Sequence, residues 1–143
     1  MGVTIESKNH AIDMGYGGFR MLRIKVAELT ASDIFEHYKK SMDGMRLYDA
    51  DERKAFYKSY NAKIAELDKK YKGKMSNILD FLYESDCDAE MDADHCRSIY
   101  EVIKDYDDNI LYGYAGRKDC AKFADFKKIV KDGIDSGDGF SWC

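Results

Sequence analysis

Residues 51–72 read DERKAFYKSYNAKIAELDKKYK, the stretch of this chain with the clearest helical pattern. Its apolar side chains recur at spacings of three and four residues, which places them on one face of an α-helix. That face comprises Phe56, Tyr60, Ile64, Leu67 and Tyr71. Acidic residues open the stretch and lysines close it, as the helix dipole favours. The pattern therefore predicts a long helix over 51–72 that stops at Gly73.

The same spacing recurs on both sides of this helix. Apolar stripes run over 19–29, 34–42 and 75–82, and further helices are expected near 92–105 and 118–133. In the stripe that begins at Phe19, the pattern places Arg20 and Arg23 on the other faces of the helix. The chain contains no proline, so these helices can run without interruption.

The two ends of the chain have the alternation of strands instead. Val3-Thr4-Ile5 and Ala11-Ile12-Asp13-Met14 are expected to form a hairpin around the turn at 7–10. Phe140-Ser141-Trp142 alternates in the same way after a Gly-Asp-Gly turn, and it is expected to pair with that hairpin. We therefore predict an α+β fold for residues 1–143, a mostly helical single domain. Its small antiparallel sheet is formed by the N-terminal hairpin and the C-terminal strand.

Composition limits the classes of function. A net charge of −4 and a pI of about 5.4 argue against duplex binding, which favours a basic face, even with Lys69, Lys70, Lys72 and Lys74 close together. No apolar run approaches the roughly 20 residues that span a bilayer, and the N-terminus lacks the pattern of a signal peptide. We expect a cytoplasmic protein that binds neither nucleic acid nor membrane.

The acidic stretch ESDCDAEMDADHC at 84–96 is the first candidate site. Its spacing resembles the start of an EF-hand loop, but Met91 stands where the required glycine would be and Arg97 where the bidentate glutamate would be. A looser calcium or magnesium site stays open. Zinc would need Cys87, His95, Cys96 and a fourth ligand such as Cys120. Adjacent helical residues such as His95 and Cys96 point about 100° apart, which fits a single metal ion poorly.

Two further interpretations of the same stretch remain. Cys87 and His95 are a candidate nucleophile and base, although nothing in the sequence supplies a third partner. Alternatively, Asp92 or a neighbour caps a helix and the rest is a solvated loop. The sequence favours the cap, and we predict no metal and no cofactor. The four cysteines, Cys87, Cys96, Cys120 and Cys143, are expected to be thiols.

Two glycine-containing segments are also candidates. Gly15-Tyr16-Gly17-Gly18-Phe19 matches no phosphate-binding motif and predicts a tight strand-to-helix turn. Arg20 and Arg23 follow it and are either anion ligands or ordinary surface residues. Tyr112, Tyr114 and Arg117 lie in a loop whose composition is typical of protein-binding surfaces, although such tyrosines also occur at the rim of a core.

Three motifs together resemble a known family. They are the Gly-Tyr-Gly-Gly-Phe turn at 15–19, Ser85-Asp86-Cys87-Asp88, and Phe123-x-x-Phe126 before an aromatic strand. The pattern is similar to a family of small uncharacterised proteins of Gram-positive bacteria and their mobile elements. The resemblance implies no activity, so it assigns no catalytic residue. It implies that Asp86 and Cys87 converge with the Gly-rich turn on one feature of the fold.

These observations favour a non-enzymatic module that binds another protein, such as an inhibitor or accessory protein encoded on a mobile element. Its predicted contact residues are Tyr112, Tyr114 and Arg117. The alternative is a metal- or small-ligand-binding protein, or an enzyme, that uses the loop of Asp86, Cys87 and Asp88. The sequence does not fix the oligomeric state.

Overall fold

The computed structural model describes residues 2–112 and 121–143 of the chain. Its helices are α1 (Tyr16–Thr30), α2 (Ser32–Lys39), α3 (Ala50–Lys70), α4 (Lys74–Tyr83), α5 (Ala93–Ile103) and α6 (Phe123–Ser136). A 3₁₀ segment, Lys40–Arg46, follows α2 directly and leads to α3. The strands are β1 (Gly2–Ser7), β2 (Ala11–Gly15), β3 (Ala89–Met91) and β4 (Phe140–Trp142). The predicted α+β class, mostly helical with a small antiparallel sheet, is confirmed.

The sheet joins the two ends of the chain in the order β2-β1-β4-β3, with antiparallel pairing throughout. Ile5 of β1 lies opposite Trp142 of β4, as the predicted pairing of the hairpin with the C-terminal strand requires. The edge strand β3 is a correction, because the sequence placed residues 89–91 in a solvated loop. Met91 lies opposite Phe140 and is 4% exposed, so this short segment is held by the sheet.

The core lies where the helices pack on the sheet, and it is rich in aromatic rings. Phe81 of α4 is central, with its ring centroid 5.7 Å from that of Trp142 and 5.8 Å from that of Phe126. Phe19 of α1 and Phe140 of β4 complete this aromatic cluster at 6.3 and 6.0 Å from Phe81. Apolar burial of this kind is the main stabilising contribution to a fold of this size.

Helix ends follow local chemistry. The Asp49 carboxylate accepts hydrogen bonds from the N–H groups of Asp51 and Glu52, which starts α3. The Asp92 carboxylate accepts from the His95 N–H at 2.9 Å, so the predicted cap of α5 is confirmed. Gly73, with φ of +86°, ends the α3 region as predicted.

Two helix starts differ from the prediction. The first helix begins at Tyr16, directly after β2, so Gly17 and Gly18 belong to its first turn. The last helix begins at Phe123, because Lys122 pairs with Leu111 in an isolated bridge. The earlier part of the predicted helix, 118–120, lies outside the described residues.

The apolar face of α3 is the largest departure in packing. Only Leu67 on that face is fully buried, at 1% exposure, whereas the other four members of the predicted stripe are half-buried. Near its start the helix packs against Gly44 of the 3₁₀ segment through Phe56 and Tyr57, and near its end it is anchored by Leu67. Between these two contacts, Tyr60 and Ile64 line a cleft. In the described part of the chain, no helix is long and apolar enough to cross a membrane.

Candidate ligand-binding cleft

A cavity of about 400 Å³ lies between α1, α2 with the 3₁₀ segment, α3 and the end of α4. We call it the Arg23 cleft. Its polar lining includes Arg20, Arg23, Tyr38, Tyr60, Glu84 and Asp86. Its volume falls in the range of roughly 300–1,000 Å³ that is usual for small-molecule sites.

Arg23 occupies a core position of α1. It follows Phe19 by four residues and precedes Val26 by three, so it shares the buried face, contrary to the sequence prediction. The residue is 3% exposed, and its guanidinium carbon is 4.4 Å from the Phe19 ring centroid and 5.1 Å from that of Trp142. Such stacking on aromatic rings stabilises a cation.

The hydrogen bonds of Arg23 leave its charge uncompensated. Its Nη2 donates to the Ser85 carbonyl oxygen at 3.2 Å, and the indole Nε1 of Trp142 donates to the same oxygen at 2.9 Å. No carboxylate among residues 2–112 and 121–143 forms an ion pair with Arg23 within 4.0 Å. The Arg23 Nε is buried and has no hydrogen-bond partner in this part of the chain.

Burial is also the largest influence on the pKa of Arg23, which it lowers from the ordinary value. The nearby Tyr38 hydroxyl and, more weakly, Asp86 and Glu84 oppose this effect. A guanidinium keeps its proton under these conditions, because arginine is the most basic side chain and is not deprotonated in proteins. Arg23 is therefore a buried cation whose charge no contact in the described structure neutralises.

Tyr60 carries the second unsatisfied polar atom of the cleft. Its hydroxyl and the Arg23 Nε are the buried side-chain N and O atoms without a partner among the described residues. Burial raises the pKa of Tyr60 to about 12, so its hydroxyl stays protonated and can donate. Buried polar groups nearly always have a partner in native proteins, and each exception calls for a ligand, a water or a functional reason. Both exceptions line this one cleft.

Three more charged side chains surround the cleft. Arg20 donates from Nη1 to the Ser41 hydroxyl at 2.6 Å, and this hydrogen bond links α1 to the 3₁₀ segment. Glu84 and Asp86 are exposed and lie on either side of Ser85 in the loop after α4. In the described chain neither carboxylate forms an ion pair. Both signs of charge are thus present without being paired.

The acidic loop lies beside the first turn of α1, where Cys87 is close to Tyr16. The Cys87 thiol donates to Asp86 Oδ1 at 3.2 Å and also interacts with the Tyr16 hydroxyl. The Asp86 carboxylate raises the pKa of Cys87, and Cys87 in turn raises the pKa of Tyr16. A thiol with a raised pKa is a weak nucleophile near neutral pH. Of the predicted loop residues, Asp86 lines the cleft, whereas Cys87 and Asp88 are exposed outside it.

His95 is engaged by carboxylates instead of by Cys87. Its Nδ1 is 2.7 Å from Asp92 Oδ1 and its Nε2 is 2.8 Å from Asp80 Oδ2. The candidate pair of Cys87 and His95 therefore receives no support. Cys96 is fully buried on the apolar face of α5, where burial raises its pKa to about 12. Within the described ranges, no group of three or more His, Cys, Asp or Glu side chains is arranged to hold a metal ion.

The His95 contacts predict a pH-dependent contribution to stability. Burial opposes protonation of the ring, but the hydrogen bonds to Asp80 and Asp92 outweigh it and raise the pKa of His95. The protonated ring therefore stabilises the fold fully below the unfolded pKa of about 6.5, and this contribution is lost as pH rises through the folded pKa. We expect the difference in unfolding free energy between the natural protein and His95→Gln to shrink from pH 6 to pH 9 in urea titrations. A difference that stays constant over this range would contradict the assignment.

The predicted protein-binding loop is only partly described. Tyr112 is 6% exposed, and its N–H donates to the Ala121 carbonyl at 2.7 Å. Its own carbonyl oxygen approaches Gly18 so closely that a Cβ there would lie 1.9 Å away. Tyr112 thus belongs to the edge of the core, the alternative that the sequence left open. Tyr114 and Arg117 lie outside the described residues.

Sequence reasoning found part of the cleft and missed the rest. It named Arg20 and Arg23 as candidate anion ligands and Asp86 as a candidate binding residue. It missed Tyr38 and Tyr60, which appeared only as members of apolar stripes. The available signal was the position of Arg23, because a cation at the i+4 position of an apolar stripe marks a buried charge.

Comparisons with known proteins add no assignment. A scan of protein-family models, a search of curated proteins and a search of solved structures found no match to this chain. The resemblance to a family of small Gram-positive proteins therefore stays a prediction.

Proposed function

We propose that this chain is a small-ligand-binding protein whose ligand places an anionic group against Arg23. The observation that supports the proposal is a cation only 3% exposed, lining a cavity of about 400 Å³, with no carboxylate paired to it in the described structure. Burying an unpaired charge costs several kcal/mol, so such a charge is usually compensated in the working state of a protein.

An anion fits this position better than a trapped water molecule does. Water can satisfy the hydrogen-bonding groups of Arg23 Nε and Tyr60, but it leaves the charge in place. A carboxylate or phosphate oxygen accepts from both a guanidinium and a hydroxyl, and charge-assisted hydrogen bonds of this kind are roughly twice as strong as neutral ones. Arg20, held against Ser41, adds a second positive charge to the same cavity.

The proposal moves the ligand site away from most of the acidic loop. Asp86 stays at the rim of the cleft, whereas Cys87 and Asp88 have no part in it. The hypothesis of a module that binds another protein stays a prediction, because its residues Tyr114 and Arg117 lie outside the described chain. A small-molecule site inside the molecule is compatible with either an enzyme or a pure binding protein.

Trp142 supplies a built-in reporter for the test. It is the single tryptophan of the chain, and its indole N–H shares the Ser85 carbonyl with Arg23. We expect acetate, inorganic phosphate or L-leucine to shift the indole N–H signal of Trp142 in nuclear magnetic resonance titrations. Arg23→Met should abolish the shift, because it removes the charge while keeping a side chain of similar length. Arg97→Met, an equivalent change on the exposed face of α5, should preserve it.

Stability separates loss of the ligand site from loss of the fold. Replacing a buried charge by an apolar side chain is often neutral or stabilising, so Arg23→Met should unfold within about 1 kcal/mol of the natural protein. A response to these three probes that survives in Arg23→Met would contradict the proposal. So would a folded natural protein that responds to none of them.

A further inference from the structure

The Arg23 cleft contains two carboxylates as well as two arginines. Glu84 and Asp86 line the same cavity as Arg23, and both are exposed to solvent at its rim. Neither carboxylate comes within 4.0 Å of the guanidinium, although all three side chains share one cavity of about 400 Å³. The cleft therefore contains positive and negative side chains that lie near one another without forming an ion pair in the described structure.

The loop after α4 explains this separation. Glu84 has an extended backbone, with φ of −69° and ψ of +165°, so the chain leaves α4 at this residue and runs past Arg23 through Ser85 to Asp86. Ser85, between the two acidic residues, accepts hydrogen bonds from Arg23 and Trp142 through its carbonyl oxygen. The backbone at Ser85 is thus fixed to the guanidinium, and the carboxylates on either side of it are held at the rim.

We propose that the ligand of the Arg23 cleft is a zwitterion of the α-amino-acid type, an inference that rests on the anion site proposed above. Its carboxylate binds Arg23 at the inner end of the cleft. Its ammonium group lies at the rim between Glu84 and Asp86. Arg23 is too far from Glu84 and Asp86 to form an ion pair with them, and a ligand that carries both charges bridges this gap.

The balance of charge favours a zwitterion over a simple anion. Two arginines and two carboxylates give the described lining no net charge. A simple anion would gain from Arg23 but would be repelled by Glu84 and Asp86. A zwitterion is neutral overall and meets an opposite charge at each end, so that neither end of the site opposes it.

The walls of the cleft suit the remaining parts of such a ligand. Phe19, Tyr38, Tyr57, Tyr60 and Tyr83 contribute aromatic surface to the cavity. Aromatic faces attract ammonium groups and also accept apolar side chains. We therefore take an amino acid with an apolar side chain as the probe.

The test compares two probes that differ only in the amino group. L-Leucine and 4-methylpentanoate share a carbon skeleton and a carboxylate, and the second lacks the ammonium group. We expect leucine to shift the Trp142 indole signal with a dissociation constant at least about tenfold lower than that of 4-methylpentanoate. The double variant Glu84→Gln with Asp86→Asn should remove this advantage and leave 4-methylpentanoate binding unchanged or tighter. Asp88→Asn, on the same loop but outside the cleft, is the matched control and should bind as the natural protein does.

The outcomes separate the two proposals. Equal affinity for leucine and 4-methylpentanoate, with both responses lost in Arg23→Met, would overturn the zwitterion and leave the anion site standing. An advantage of leucine that persists in the folded double variant would also overturn it, because the ammonium group would then lie elsewhere. Absence of any Arg23-dependent response to leucine, 4-methylpentanoate, acetate or phosphate would overturn both proposals.

Discussion

Replacing Gly139 with Ala should destabilise the fold by about 3 kcal/mol or more. Gly139 has φ of +71°, in the left-handed region, where a Cβ costs roughly 1–2 kcal/mol by itself. A Cβ built there would also lie 1.9 Å from the Met91 carbonyl oxygen and 2.9 Å from the Asp92 Cα. Both are backbone atoms, so the contact is relieved only by moving β3 away from β4 and disturbing the cap of α5. Forced overpacking of this kind costs roughly a further 1–3 kcal/mol.

Gly137 provides the matched control for this prediction. It also has a positive φ, +78°, but a Cβ at this position meets no atom within 4 Å. Gly137→Ala should therefore cost only the backbone strain, roughly 1–2 kcal/mol. Urea unfolding of the two variants measures the difference. If Gly139→Ala were no less stable than Gly137→Ala, the close packing of β3 against the turn before β4 would be wrong.

The periodicity of apolar residues was enough to predict the class of the fold, but it could not reveal elements of only a few residues. The helical stripes and the alternating chain ends are long enough to show a period, so the α+β class follows from them. Strand β3 has three residues, too few to alternate visibly, and its sequence Ala-Glu-Met lies within an acidic run. What makes it a strand is Phe140, to which Met91 pairs from far along the chain.

The candidate site was harder to predict than the fold, for a physical reason. The spacing of Arg23 from Phe19 and Val26 indicates that the arginine shares the apolar face, but the rings and the carbonyl group that enclose it, Trp142 and Ser85, come from elsewhere in the chain. The cleft also depends on α3, whose apolar stripe looked like an ordinary core face. That stripe is half-buried because the side chains opposite it leave a cavity. Incomplete burial of a regular apolar stripe is a tertiary property, and no local pattern reports it.

Phe81→Ala should lower the unfolding free energy by about 3–5 kcal/mol, the usual cost of removing a buried aromatic ring. Phe81 is fully buried, and its ring contacts Phe126, Phe140 and Trp142 with centroids 5.7–6.0 Å away. These neighbours come from α6 and β4, so the cavity opens where the sheet meets the helices and cannot close by moving one side chain. Urea unfolding measures the loss, and Tyr48→Ala is the control, since Tyr48 is 101% exposed and its removal should change stability by less than about 0.5 kcal/mol.

The Phe81 ring also contacts Arg23 of the cleft. A milder substitution of Phe81 can therefore test its effect on ligand binding without unfolding the protein. The Arg23 guanidinium carbon is 5.5 Å from the Phe81 ring centroid and 5.1 Å from that of Trp142, and the two rings meet edge to face at 5.7 Å. Phe81→Leu keeps most of the volume, so it should cost less than about 2 kcal/mol and stay folded. It removes one aromatic face beneath the cation, and we expect weaker binding of L-leucine in the Trp142 titration together with a smaller stability loss than in Phe81→Ala. Equal ligand affinity in Phe81→Leu and the natural protein would show that Phe19 and Trp142 alone hold Arg23 in place.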